Sequence, residues 1–135
     1  TNNPSFIATQ PKMASINAAL QVDLFGQVNA TRLRGKIHSG IGGSTDFLVG
    51  SMHSPGGQAL IAMLSWHPKA DCSTIVGLLG SPASATQPSV VITEQGIADL
   101  FGKSQEEQAR QLIDNAAHPN AREKLWREAK ELSLV

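Results

Sequence analysis

The run SGIGGSTDF, residues 39–47, contains three glycines within four positions, and the rest of the chain is interpreted around it. Glycine loses more backbone entropy on folding than any other residue. A cluster therefore indicates positive φ, a tight bend, or another molecule approaching the bare backbone. Successive unobstructed N–H groups can receive a phosphate or the oxyanion of an acyl-transfer intermediate. Two interpretations stay open from the run alone: glycines that only turn the chain, and a loop that binds an anion.

The composition narrows the function classes. The 135 residues suit one domain, and because the chain begins with Thr1 we expect a piece of a longer protein. The formal net charge is zero and tyrosine is absent, which argues against a surface for nucleic acid or an anionic membrane. The single cysteine, Cys72, cannot form an internal disulfide, and no secretory or spanning segment is visible. We therefore expect a cytoplasmic domain.

Hydrophobic periodicity predicts strands in the first two thirds of the chain. Strict alternation over residues 16–24 predicts one half-buried strand, and a continuous apolar run over residues 58–64 predicts a strand covered on both faces. Shorter strands are predicted over residues 27–30, 47–52 and 89–93.

The last third of the chain changes to helical signals. Residues 96–100 suggest one helical turn, and Ser104 with Glu107 forms a capping box that opens a helix to about Asn115. Pro119 occupies the first position of a final helix. Strands followed by helices predict an α/β (mixed α+β) fold, with a mixed sheet before the C-terminal helices.

Several separate stretches resemble one family in the same order. They are SINAALQVDLFGQVNA, SGIGGSTDFLVGSMHSPGGQALIAMLSWHPKADCSTIV and VVITEQGIADLFGKSQEEQARQLIDNAAHP. Together they resemble the C-terminal domain of the acetyl-CoA hydrolase/transferase family, which includes 4-hydroxybutyrate and succinyl-CoA:acetate CoA-transferases. The resemblance implies that residues 1–135 are this domain with a CoA-transferase-like fold, and that a glutamate-bearing domain lies upstream.

The resemblance also implies a double displacement in which a glutamate carboxylate attacks an acyl-CoA thioester and later becomes a glutamyl-CoA thioester. Nothing in this chain matches the motif of that glutamate, so we expect the isolated chain to be inactive. The family's oxyanion donor corresponds to the N–H of Gly43, and Asn2 matches the asparagine beside the catalytic carboxylate. Gly40 and Gly42 match the loop that contacts coenzyme A.

Other polar residues have weaker claims to a site. Lys69 follows His67-Pro68 and could contact a phosphate of coenzyme A, although most surface lysines are simply solvated. Glu94 precedes Gly96 as catalytic glutamates do in related CoA-transferases, but we interpret it as a strand-end carboxylate that caps the next helical turn. Asp46 could hold the shape of the glycine loop.

The aromatic and metal-ligating residues do not suggest a site. Trp66 and Trp126 are expected in the core or in a domain interface. The four histidines and Cys72 lack paired ligand spacing, so we expect neither a metal nor a permanently bound cofactor.

Three hypotheses follow for the function. The first is the C-terminal half of a CoA-transferase or acyl-CoA hydrolase, with an acyl-CoA and a small carboxylate as substrates. The second is a free-standing module that binds coenzyme A or a phosphorylated ligand, and the third is a structural or oligomerisation domain. The partners expected are the upstream domain and further copies in a homo-oligomer, since an isolated half exposes apolar surface.

Overall fold

A computed structural model describes residues 3–30, 32, 33, 36, 37, 44–80 and 88–135, with side chains described for all of these except 32, 33, 36, 37, 44 and 45. The helices are α1 (Pro4–Ala8), α2 (Ser44–His53), α3 (Gln105–Gln111) and α4 (Pro119–Glu131), and a π-helical segment (Leu112–Ala116) continues α3. The strands are β1 (Ala14–Ala18), β2 (Gln21–Asp23), β3 (Val28–Asn29), β4 (Arg32–Leu33), β5 (Lys36–Ile37), β6 (Gln58–Ala62), β7 (Trp66–His67), β8 (Cys72–Ser73), β9 (Ile75–Val76), β10 (Val90–Thr93) and β11 (Gly96–Asp99).

The main sheet has four strands in the order β1-β6-β10-β11. β1, β6 and β10 run parallel, and β11 runs antiparallel to β10. A second sheet has the order β3-β2-β9, and β4–β5 and β7–β8 form two-stranded pairs. The predicted strand over residues 58–64 is β6, at the centre of the main sheet. The mixed sheets and the C-terminal helices confirm the predicted fold class.

The hydrophobic core lies between one face of the main sheet and the helices. α2 packs on β1 and β6, and the π-helical segment packs on β10 and β11. The hydroxyl of Thr93 donates to the carbonyl of Ala116 across this interface, at 2.6 Å. The sheet side chains that face the helices are buried: Ser15, Ala59, Ile61, Val91, Thr93 and Ala98.

Residues 47–52 belong to α2, so the strand predicted there is wrong. A short apolar run does not distinguish a strand from a buried helix, and here the run continues a helix that begins at Ser44. The absence of a side chain at Gly50 of α2 allows α1 to pack closely at this point. A Cβ on Gly50 would lie 2.5 Å from the Cβ of Ile7.

The helical turn predicted over residues 96–100 is also wrong, because these residues form β11. Thr93 pairs with Gly96, so Glu94 and Gln95 make a two-residue hairpin turn. That turn lacks the Asn-Gly or Asp-Gly pair that usually indicates a hairpin. A Cβ on Gly96 would lie 2.6 Å from the carbonyl oxygen of Asn115, so only glycine fits at this position.

The single strand predicted over residues 16–24 is divided into β1 and β2, which lie in different sheets. Val22 and Leu24 are fully buried as the alternation predicts. Ile16 is 69% exposed, because the helices cover the opposite face of β1. The apolar side chains of this segment therefore face solvent at Ile16 in β1 and the core at Val22 in β2.

The helix boundaries agree with the capping signals. The Ser104 side chain accepts from the backbone N–H of Glu107 and the Glu107 carboxylate accepts from that of Ser104, which confirms the capping box. Pro119 begins α4, which buries Leu125 and Ala129. No helix within the described residues combines the length and apolar character that a membrane crossing needs.

Candidate functional site

The parallel strands β1, β6 and β10 end together at one edge of the main sheet, which we call the carboxyl edge. α2 packs on β1 and β6 and is separated from β6 only by residues 54–57, so it runs antiparallel to these strands. A ten-residue helix is about 15 Å long, close to the roughly 16 Å of a five-residue strand. Ser44, the first residue of α2, therefore lies at the carboxyl edge.

A cavity of about 250 Å³ opens at the carboxyl edge. It is formed by the residues that follow β1 and β6 and by the β7–β8 hairpin, and most of its lining is apolar. The residues are Ala18, Ala19, Leu20, Ala62, Met63, Leu64, Trp66, His67, Pro68 and Thr74. Ligands of open α/β sheets bind outside the carboxyl ends of parallel strands, so this cavity is the candidate site.

A larger cavity of about 380 Å³ lies between α4 and the strands β8 and β9. Cys72 and Glu128 are among its lining residues. Its lining residues include none from β6 or β10, so it does not adjoin the carboxyl ends of these parallel strands. We therefore place the candidate site at the carboxyl edge in spite of the smaller volume.

The loop after β6 is held in place by Glu94 of the β10–β11 turn and by Thr74, which lies between β8 and β9. The Glu94 carboxylate accepts from the backbone N–H of Ser65, at 2.6 Å and 3.2 Å from its two oxygens. The Thr74 hydroxyl donates to the carbonyl of Leu64, at 2.6 Å, and the Thr74 N–H donates to the carbonyl of Ser65. Glu94 is therefore a structural carboxylate, but it caps the loop after β6 and not a following helical turn.

Desolvation raises the pKa of Glu94, but the hydrogen bonds from Ser65 and the nearby charge of His118 together outweigh it and leave the pKa below its ordinary value of 4.5. A carboxylate stabilised in this way is a weaker base and a poorer nucleophile. The geometry thus supports the structural interpretation of Glu94 over the catalytic one.

We expect Glu94→Gln to destabilise the chain near neutral pH by less than about 1 kcal/mol, because the carboxylate is solvent-exposed. A lowered folded-state pKa gives stability that is present above the ordinary pKa and lost as the pH falls through the folded-state pKa. The difference in melting temperature between the two proteins should therefore narrow below about pH 4.5. Thermal melts from pH 7 to pH 3, with exposed Glu123→Gln as control, measure this; a difference that widens in acid would contradict it.

Aromatic rings connect the carboxyl edge to the helices. The Trp66 ring lies 5.0 Å from the His118 ring, measured between centroids, and the Trp66 indole N–H donates to Asp71 at 3.0 Å. Trp66 and Trp126 both pack partly against the core. The Arg110 guanidinium lies 5.7 Å from the centroid of the Trp126 ring. These contacts agree with the structural roles expected for both tryptophans, although Trp66 also lines the cavity.

Four of the five predicted site residues, Asn2, Gly40, Gly42 and Gly43, lie outside the residues that the structure describes, and their roles stay predictions. Lys69 is exposed at the tip of the β7–β8 hairpin, next to the cavity-lining Pro68. Its contact with coenzyme A also stays a prediction. Asp46 lies in the first turn of α2, where a carboxylate complements the helix dipole.

Sequence reasoning missed the polar supports of this edge. The contacts of Ser65 with Glu94 and with Thr74 join residues that are distant in the chain. The pairing of β6 with β10 brings Ser65 next to Glu94, and no local sequence pattern indicates this pairing. The available signal was general: residues that directly follow buried strands collect at one edge of a parallel sheet.

The sequence was compared with family models and with curated relatives. The model for "Acetyl-CoA hydrolase/transferase C-terminal domain" matches residues 1–129. The chain belongs to this family. The 4-hydroxybutyrate coenzyme A transferase of Clostridium kluyveri is 43% identical over 134 residues, and the acetyl-CoA hydrolase of Kluyveromyces lactis is 35% identical over 127 residues. The matches cover 96% and 89% of this chain but only 31% and 23% of those relatives.

Solved structures support the same assignment of the acetyl-CoA hydrolase/transferase C-terminal domain. RipA from Yersinia pestis superposes with a TM-score of 0.87 at 36% identity, over 99% of this chain and 31% of that one. The 4-hydroxybutyrate CoA-transferase from Porphyromonas gingivalis superposes with a TM-score of 0.78 at 33% identity, over 97% of this chain and 30% of that one. The chain thus spans about a third of the length of these relatives.

Proposed function

We propose that the chain is the C-terminal domain of a longer enzyme that transfers coenzyme A between an acyl-CoA and a small carboxylate, or hydrolyses the acyl-CoA. The observation that carries the proposal is the position of α2 at the carboxyl edge, where Ser44 begins the helix. In the sequence, the glycine run of residues 40–43 directly precedes Ser44. The N-terminus of a helix also favours negative charge.

In the proposed reaction, a glutamate carboxylate of the upstream domain attacks the thioester carbonyl. The carbonyl oxygen becomes an oxyanion, and its collapse expels the CoA thiolate and leaves an acyl-glutamyl anhydride. The thiolate then attacks the glutamyl carbonyl of the anhydride, which releases the acyl group as a carboxylate and leaves a glutamyl-CoA thioester. A second carboxylate reverses these steps to take the coenzyme A, or water hydrolyses the thioester.

The contribution of this chain is to stabilise the oxyanion and to bind the cofactor portion of the substrate. The N–H of Gly43 donates to the oxyanion, and the amide of Asn2 adds a neutral donor beside the carboxylate. Asn2 precedes Asn3, whose side chain caps α1 by accepting from Ser5 at 2.9 Å. Gly40 and Gly42 leave the backbone of the loop open to coenzyme A, and Lys69 contacts one of its phosphates.

The test compares Gly43→Pro, which removes the N–H, with Gly43→Ala, which keeps it, in the full-length polypeptide. We expect the proline variant to lower kcat with acetyl-CoA by roughly a hundredfold or more, since one preorganised donor has this effect. The alanine variant should lower kcat much less, because it keeps the N–H. The acceptors are acetate, butyrate, succinate and 4-hydroxybutyrate, and thermal melts check folding.

Two outcomes would contradict the proposal. A proline variant that melts like the wild type and keeps its rate within a few-fold would exclude the oxyanion role of Gly43. A full-length polypeptide that binds coenzyme A but transfers it to no acceptor and does not hydrolyse acetyl-CoA would favour the binding module instead.

A further inference from the structure

We propose that the face of the main sheet opposite the helices is the surface on which the upstream part of the polypeptide packs, through an apolar helical layer. We call this surface the outer face and define it by the strand register. Ile16 aligns with Leu60, Leu60 with Val90, and Val90 with Asp99 on the edge strand β11. The neighbouring row across the four strands consists of Ala18, Ala62, Ile92 and Ile97.

The outer face is apolar across all four strands. Ile16 and Ile97 are 69% and 58% exposed, although both lie in the middle of regular strands. Its polar residues are Gln58, at the start of β6, and Asp99, which ends the first row on the edge strand β11. A sheet face that contacts water normally carries polar side chains, whereas parallel strands are usually covered on both faces. The composition of the outer face is therefore that of an interface.

Three observations indicate the occupant. The relatives carry more than two thirds of their length outside the region matched here, which is enough chain for a covering segment. Four strands about 4.8 Å apart and roughly 16 Å long give a footprint near 300 Å², which counted on both partners approaches the lower end of interfaces between domains of one chain. Apart from Asp99 on the edge strand β11, the two rows of the outer face carry no charged residue, so an apolar helical layer complements them.

The outer face is continuous with the candidate site. Ala18 and Ala62 belong to the outer face and also line the cavity at the carboxyl edge. A segment that covers the outer face therefore also lies beside this cavity. The inference rests on the part of the proposed function that places this chain in a longer polypeptide, and it is independent of the oxyanion role of Gly43.

The experiment measures how fast a maleimide labels single cysteines in a Cys72→Ser background, in the 135-residue chain and in the full-length polypeptide. Ile16→Cys and Ile97→Cys report on the outer face. Phe6→Cys is the matched control, because Phe6 is an exposed apolar residue on α1, at 53%. Each substitution changes a solvent-exposed side chain, and thermal melts of both forms check that folding is retained.

We expect Ile16→Cys and Ile97→Cys to react at least about tenfold more slowly in the full-length polypeptide than in the 135-residue chain, with Phe6→Cys changing much less. Equal rates in both forms would overturn the inference. So would slow labelling of the 135-residue chain that depends on its concentration, because a second copy would then cover the face. Labelling needs no turnover, so an inactive enzyme with a protected outer face would contradict only the proposed function.

Discussion

Replacing Gly57 with alanine should prevent stable folding of the domain or cost at least about 3 kcal/mol of unfolding free energy. A Cβ at this position would lie 2.1 Å from the carbonyl oxygen of Ser51, 2.7 Å from the Cβ of Ser54 and 2.9 Å from the carbonyl oxygen of Met13. Two of these atoms are backbone and the third is the first side-chain atom, so a rotamer change cannot relieve the contact.

The surrounding backbone cannot move easily either. The turn between α2 and β6 is bonded to the turn between α1 and β1, since Lys12 donates to Pro55 and Gln58 donates to Met13. The Ser54 hydroxyl adds a third connection by accepting from the N–H of Met13, at 3.1 Å. A displacement at Gly57 would therefore disturb both helix-to-strand connections.

Unfolding in urea, followed by circular dichroism, measures the effect of Gly57→Ala. The matched control is Gly80→Ala, because among the described residues, its chain neighbours aside, no atom lies within 4 Å of a Cβ built there. Its effect should stay within about 0.5 kcal/mol. A Gly57→Ala protein that unfolds at the same urea concentration as the wild type would show that the two turns are far more adaptable than their bonds indicate.

The second large effect is expected for Asp23→Ala, at about 3 kcal/mol or more of unfolding free energy. Asp23 is fully buried. Its carboxylate accepts from three backbone N–H groups, those of Phe25 at 3.0 Å, Gln27 at 2.9 Å and Leu79 at 3.3 Å. Alanine would leave these donors without the acceptor, and an unsatisfied buried donor costs about 1–3 kcal/mol.

The pH dependence provides a second measurement on the same residue. Burial raises the pKa of Asp23 above its ordinary value of 3.8, and the three N–H donors offset this only in part. A raised folded-state pKa gives stability that is fully present below the ordinary pKa and lost as the pH rises through the folded-state pKa. Relative to Asp23→Ala, the wild type should therefore gain stability as the pH falls toward 3.8.

Urea unfolding of both proteins at pH 7 and in mild acid tests these statements. Asp23→Asn serves as the control, because it keeps one acceptor oxygen and removes the buried charge, so its loss at pH 7 should be smaller than that of alanine. A loss for Asp23→Ala below about 1 kcal/mol would mean that water replaces the carboxylate.

Local signals in the sequence predicted the elements whose causes are local. The capping box at Ser104 and the proline at the start of α4 depend on residues within one turn, so sequence alone placed both helices. β6 was predicted from its continuous apolar run, because a central strand needs apolar side chains on both faces.

The wrong predictions depend on contacts that the local sequence patterns do not indicate. Residues 47–52 lie in a helix that packs against α1 at Gly50, and β11 pairs with β10 after a two-residue turn. Ile16 points away from the helices because β1 joins the main sheet in a register that buries Ser15. α1 and β6 are separated in sequence from the elements that they contact, and the β10–β11 turn lacks the usual hairpin residues, so neither periodicity nor propensity could indicate these contacts.

The central position of β6 also determines when the main sheet can form during synthesis. Ala14 pairs with Gln58, and Leu60 pairs with Val90, so each parallel partner is remote along the chain. Contacts of this kind make folding slow, commonly in the range of milliseconds to seconds. At about 5–20 residues per second of translation, β6 leaves the ribosome roughly one to six seconds before β10 is complete. During that interval one edge of β6 lacks its partner strand, and an unpaired strand edge favours aggregation of the nascent chain.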